Sequence, residues 1–95
     1  MLYFDVLWNY LDQRTPIRFV TELDDQRWEG RKVEFFPDGS CGVAGPGLQT
    51  KNTFLGQVPW PPLAEIQSQA EFTIREITKE DFEGIWLAVV ARSIP

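Results

Sequence analysis

The sequence predicts an α+β domain: an antiparallel sheet of four or five strands, with a C-terminal helix packed on one face and one short helix beside it. Three observations predict it. Apolar residues alternate with polar ones over 2–8, 17–23, 28–36 and 71–77, the period of half-buried strands. Turn-forming residues separate those runs, Asp24-Asp25 in one place and Pro37-Asp38-Gly39-Ser40 in another, where proline pre-sets φ and glycine supplies positive φ. From Thr78 onward the apolar spacing becomes that of a helix.

In the first strand, Leu2, Phe4, Val6 and Trp8 share one face and Tyr3, Asp5 and Leu7 the other. Residues 9–16 read as a connection closed by Pro16. The runs 17–23 and 28–36 read as a hairpin. Placing Phe19 opposite Val33 and Ile17 opposite Phe35 gathers apolar residues on one side. Arg18 then faces Glu34, Val20 faces Lys32, Thr21 faces Arg31, and a three-residue loop remains, Asp25 to Arg27. A short strand, Cys41 to Ala44, returns antiparallel, and Gly45-Pro46-Gly47 breaks it. Residues 48–56 read as a loop that Leu48, Phe54 and Leu55 dock onto the sheet. The stretch Val58-Pro59-Trp60-Pro61-Pro62-Leu63 excludes helix and central strand, because proline removes a backbone donor and biases its predecessor to extended geometry. It leads into a short helix over about 62–69, anchored by Leu63 and Ile66. In the last helix, Thr78 with Asp81 forms a capping box and Ile77 with Phe82 a hydrophobic staple. Phe82, Ile85, Trp86 and Val89 should then face the sheet.

The chain has 95 residues, 43% apolar and 14% aromatic, which suits one domain with a substantial core and argues against disorder. One cysteine excludes an internal disulfide, so a reducing, cytoplasmic setting is expected. No basic, apolar leader opens the sequence and no apolar run approaches the length of a membrane span. Nine basic residues stand against fourteen acidic ones, net −5. That balance argues against nucleic acid, whose binding rests on cations neutralising phosphates.

Catalytic equipment is missing. Zero histidines remove the commonest general base, metal ligand and nucleophile partner. A lone Cys41 offers no zinc set and has no cation beside it in sequence to activate the thiol. The glycine-rich stretch 42–47 matches neither phosphate-binding fingerprint. The carboxylates at Asp24-Asp25 and at Glu80, Asp81 and Glu83 are those of a turn and of a helix N-terminus. No catalytic residue, metal or cofactor is expected, and the chain is read as a non-enzyme.

Four features point to binding. Glu22, Asp24, Asp25 and Glu29 with Trp28 form an acidic hairpin end that reads in two ways: as turn formers with Trp28 capping the hydrophobic layer, or as a site for a basic protein partner, the charges steering and the indole anchoring. The proline-rich stretch 58–63 reads as a rigid connector with Trp60 against the sheet, in preference to a polyproline ligand. The last helix is apolar nearly all round, so Leu87 and Val90 could meet a second copy or another partner. Arg31, on the presumed core face, needs a carboxylate such as Glu22 or Glu29.

The stretch ELDDQRWEGRKVEFFPDG, from Glu22 to Gly39, with LGQVPWPPLAEI and EFTIREITKEDFEGIW after it, resembles a family of small bacterial proteins of unknown function. The likeness runs over nearly the whole chain and has the core E-L-D…E-x-R-K-V-E-x-F-x-D-G. Members often carry a histidine near the end of the first strand, where this chain has Asn9-Tyr10, so no role resting on that histidine carries over. The resemblance implies a stand-alone bacterial cytosolic protein and no activity. Together these readings lead to a small acidic protein-binding domain, such as an immunity protein or antitoxin that inhibits a basic toxin or enzyme. The alternative is a small-ligand sensor or accessory module with Trp8, Arg31 and Trp60 lining its pocket.

Overall fold

A computed structural model describes residues 1–8, 16–50, 53–67 and 72–93. The elements in order are β1 (Leu2–Trp8), β2 (Arg18–Leu23), β3 (Glu29–Phe35), β4 (Cys41–Gly45), β5 (Leu48–Gln49), α1 (Leu63–Gln67), β6 (Phe72–Ile77) and α2 (Lys79–Ser93). The strands form one antiparallel sheet in the order β5-β4-β3-β2-β1-β6. The architecture is α+β as expected, with six strands in place of four or five. The additional strand is β5, two residues in a segment read as loop. Gly47, at φ 71°, turns the chain back on β4, and Thr50 extends the contact by donating from its N–H to the Val43 carbonyl (2.9 Å). The connection at 9–15, the end of the short helix at 68–69 and residue 71 of the last strand lie outside the described residues, as do positions 51–52 of the predicted loop.

The hairpin register is a correction. The predicted pairing holds at the tip, where Leu23 faces Glu29 and Asp24 donates to the Trp28 carbonyl (3.0 Å), leaving the loop Asp25 to Arg27. Beyond it, Glu22 faces Arg31, Val20 faces Val33, Phe19 faces Glu34 and Arg18 faces Phe35. Gly30 is the extra residue: a bulge there shifts the remainder of β3 by one. The shift costs no burial because both faces of the sheet are covered. On one face Tyr3, Val20, Ile77 and Phe82 form a cluster, continued by Val33, Val43 and Val89, with Ile85 and Trp86 of α2 packed against both. On the other, Phe4, Val6 and Leu23 pack with Phe19, Phe72, Ile74 and Trp60. Gathering all apolar residues on one side was therefore the wrong criterion.

The α2 start is as the spacing predicts. Asp81 N–H donates to Thr78 Oγ1 (3.1 Å), and Thr78 N–H reaches Asp81 Oδ2 at 3.5 Å. Ile77 and Phe82 on either side are both buried. Replacing Thr78 with alanine leaves the first-turn donors without this acceptor, so a loss of about 1 kcal/mol is expected in urea denaturation. None of the described helices is long and apolar enough to cross a membrane.

Candidate functional site

The hairpin tip is held by its own residues. Asp24 Oδ1 accepts from the N–H groups of Gln26 and Trp28, both at 2.9 Å. Arg27 stands at φ 70°, a conformation a side chain disfavours. Its guanidinium donates to the carbonyls of Trp60 (3.0 Å) and Pro61 (2.8 Å), while its own carbonyl accepts from Trp60 N–H (2.8 Å). Glu29 works from the other side. Its carboxylate, 4% exposed, accepts from Lys32 Nζ (3.1 Å), Trp60 Nε1 (3.1 Å) and Gly56 N–H. Arg27 and Glu29 thus clamp the strap 53–61 across one face of the sheet. Trp60 stacks on Phe4 at 5.7 Å and meets Phe19 edge-on at 6.1 Å, the geometry of a packed connector. Phe54 (60%) and Val58 (70%) of the strap are exposed, as is Trp28 (38%), and the Gly56–Glu29 bond between those two strap positions ties the strap to the residue after Trp28. Asp25 at the tip is almost fully exposed, 3.8 Å from the N-terminal amine of Met1.

The structure divides the predicted acidic group. Asp24, Asp25 and Trp28 stay together at the tip, whereas Glu22 and Glu29 turn inward to ion-pair partners. Phe54, expected to dock its loop onto the sheet, is exposed instead, and Val58 of the proline-rich stretch is exposed too; a single apolar residue in a loop leaves no period from which to read its burial. On α2, Leu87 is 65% exposed, while Val90 is half-buried against the Val33–Val43–Val89 cluster. The alternative trio does not converge. Trp60 and Trp8 belong to the strap face, Trp8 lying 5.4 Å from the Phe72 ring, and Arg31 belongs to the α2 face. The strap face does hold an apolar pocket of about 210 Å³, lined among the described residues by Val6, Phe19, Trp60, Pro61, Ile66 and Phe72.

Arg31 has the carboxylate its position demanded. Its Nε and Nη2 donate to Glu22 Oε1 and Oε2 at 2.9 and 2.7 Å, and Nη2 lies 2.5 Å from Glu83 Oε1 on α2. The guanidinium also sits over the Phe82 and Trp86 rings, at 4.9 and 5.2 Å. A second cluster joins Asp5 to Arg18, through both oxygens at 2.8 and 2.9 Å, and to Arg75 at 3.1 Å. The Arg31 hydrogen bond holds Glu22 below the ordinary carboxylate value, against the opposing pull of burial. Burial pushes Asp5 upward, but Arg18 and Arg75 outweigh it and the net shift is downward. Both groups ionise more easily folded than unfolded. Their contribution is therefore complete above the unfolded values near 4 and is lost as pH falls through the lower folded ones. Urea midpoints measured from pH 7 downward should hold level until about pH 5 and then decline.

No group of three or more metal-ligating side chains occurs among the described residues. Asp5 and Glu22, whose carboxyls the neighbouring guanidinium groups hold below the ordinary value, are both ionised at neutral pH. What these features define is a small α+β domain whose charged interior groups are structural and whose hairpin tip exposes Trp28, with Phe54 and Val58 exposed on the strap bonded to it. The chain belongs to the family described as a domain of unknown function, DUF6881, whose model matches residues 2–91. No curated protein and no solved structure matches it.

Proposed function

We propose that this protein is a cytoplasmic protein-binding domain without catalytic activity: an immunity protein or antitoxin that inhibits a toxic bacterial enzyme by direct contact. The observation that carries this reading is the hairpin tip, where Trp28 is exposed near Asp24 and Asp25 and the strap bonded to the hairpin exposes Phe54 and Val58. An apolar centre with an acidic rim is the complement of a basic protein surface: the charges speed encounter and the indole supplies the anchor. Net charge −5 supports a basic partner over an acidic one. Zero histidines support binding over catalysis. The test is co-expression with toxin-like enzymes encoded beside the gene, with growth and pull-down as readouts. The wild type should restore growth and form a complex, and Trp28→Ala should weaken that complex by roughly tenfold or more. Failure of every neighbouring enzyme to bind or to be neutralised overturns the reading.

The pocket under Trp60 supports a second reading, a small-ligand module for a compact apolar molecule. A thermal-shift screen of small aromatic and aliphatic compounds tests it, and a flat response across the set counts against it.

A further inference from the structure

α2 packs on the sheet through Phe82, Ile85, Trp86 and Val89. Helical spacing brings Glu80, Gly84, Leu87, Ala88 and Ala91 together on its other side. Leu87 is 65% exposed, Glu80, Ala88 and Ala91 are exposed as well, and a Cβ added at Gly84 would meet nothing within 4 Å. Leu87 is thus an apolar knob one turn from the gap that Gly84 leaves. The two ends of the helix carry opposite charge, Glu80 and Asp81 in the first turn and Arg92, also exposed, in the last.

We propose that the outer side of α2 is the contact of a homodimer, in which two copies of the helix pack antiparallel with Leu87 of each seated over Gly84 of the other. Shape and charge agree on that register. Seating residue 87 over residue 84 in an antiparallel pair sets residue 80 opposite residue 91, so Glu80 meets Ala91 and the adjoining Arg92 of the second copy. A two-fold axis repeats the contact, so one arrangement fills both gaps and makes both charge pairs. The other charges near the helix leave the pairing in place. Asp81, which caps α2 with Thr78, adds a carboxylate on the Arg92 side. Glu83 is held by Arg31, and Lys79 lies toward Glu22, whose charge it favours. Asp38, in the turn that adjoins Arg92, is bonded to Ser40. A second copy fits this face better than an unrelated partner, because the face itself supplies knob, gap and both signs of charge. At 15 residues, α2 is about 22 Å long, and one helix crossing of that length buries less than the roughly 1,200 Å² of a standard stable interface. Net charge −5 on each copy opposes approach, so the dimer is weak and reversible. None of Trp28, Phe54 and Val58 takes part, and the dimer is independent of the hairpin-tip reading.

Sedimentation equilibrium of the full chain, from low micromolar to millimolar concentration, tests this. The wild type should pass from monomer to dimer across that range. Gly84→Gln puts a side chain where the monomer has open space and removes a helix-weakening glycine. Its stability in urea should therefore hold or rise while the dimer weakens by roughly tenfold or more. Arg92→Glu and Glu80→Arg should each weaken the dimer by roughly fivefold. An equimolar mixture of those two variants should restore it, because only the mixed pair sets opposite charges at both ends. A wild type that stays monomeric throughout, a dimer that Gly84→Gln leaves unchanged, or a mixture no tighter than either charge variant alone overturns the proposal.

Discussion

Arg31→Ala is expected to destabilise the domain by about 3–5 kcal/mol, the cost of removing one partner from a buried ion pair. The guanidinium spans the sheet and α2: it ties Glu22 of β2 to Glu83 and covers Phe82 and Trp86. Its loss leaves Glu22, 6% exposed, as a carboxylate without its cation, and strips the rings of a neighbour. A second substitution separates those two causes. Glu22→Gln placed on Arg31→Met removes the stranded charge and restores apolar volume, so the double variant should be more stable than Arg31→Met alone. Equal stability of the two, by urea denaturation, would mean that the damage comes from lost packing instead.

Phe82→Ala is expected to cost a similar amount, about 3–5 kcal/mol, for a different reason. The ring is fully buried, 5.2 Å from Tyr3 and 6.2 Å from Trp86, and it joins α2 to β1, β2 and β6 through one cluster. Truncation leaves a cavity at the junction of four elements, none of which is free to collapse into it. Phe82→Leu keeps much of the volume and should cost less than half as much. Against a typical total of about 5–15 kcal/mol, either alanine variant takes a large share of the stability, and thermal unfolding should show it directly.

The parts of this molecule written locally were legible. The start of α2 depends on Thr78, Asp81, Ile77 and Phe82, all within one turn, and each behaves as its spacing implies. The tip loop was legible for the same reason. What failed depended on distant partners. The β2–β3 register turned on Gly30, a glycine inside a strand pattern, which is the sign of a bulge, yet the apolar alternation on either side hid it. Trp60 was read as packing against the sheet, but nothing in the sequence says that it takes the face opposite α2, so one buried face was expected where there are two. At the candidate site, Arg31 implied a carboxylate and Glu22 was among those named, but Glu83 lies far along the chain. Glu22 and Glu29 looked like rim charges beside Asp24 and Asp25. Strand alternation through the bulge sends both inward, and only the loop residues keep their charges in solvent.

β1 lies between β2 and β6, paired through Phe4–Thr21 on one side and Phe4–Glu76 on the other. The first contact closes a short loop of chain and the second a long one. Non-local pairings of this sort are reached late, since closure entropy is lost before the contact returns any stability. During synthesis, β1 to β4 emerge and pair while the residues that cover Tyr3 and Val20 are still on the ribosome. The nascent meander thus carries an open apolar face and an unpaired β1 edge until residues 72–89 arrive. Slowing translation within that stretch should prolong the interval in which the chain is open to chaperones and to aggregation.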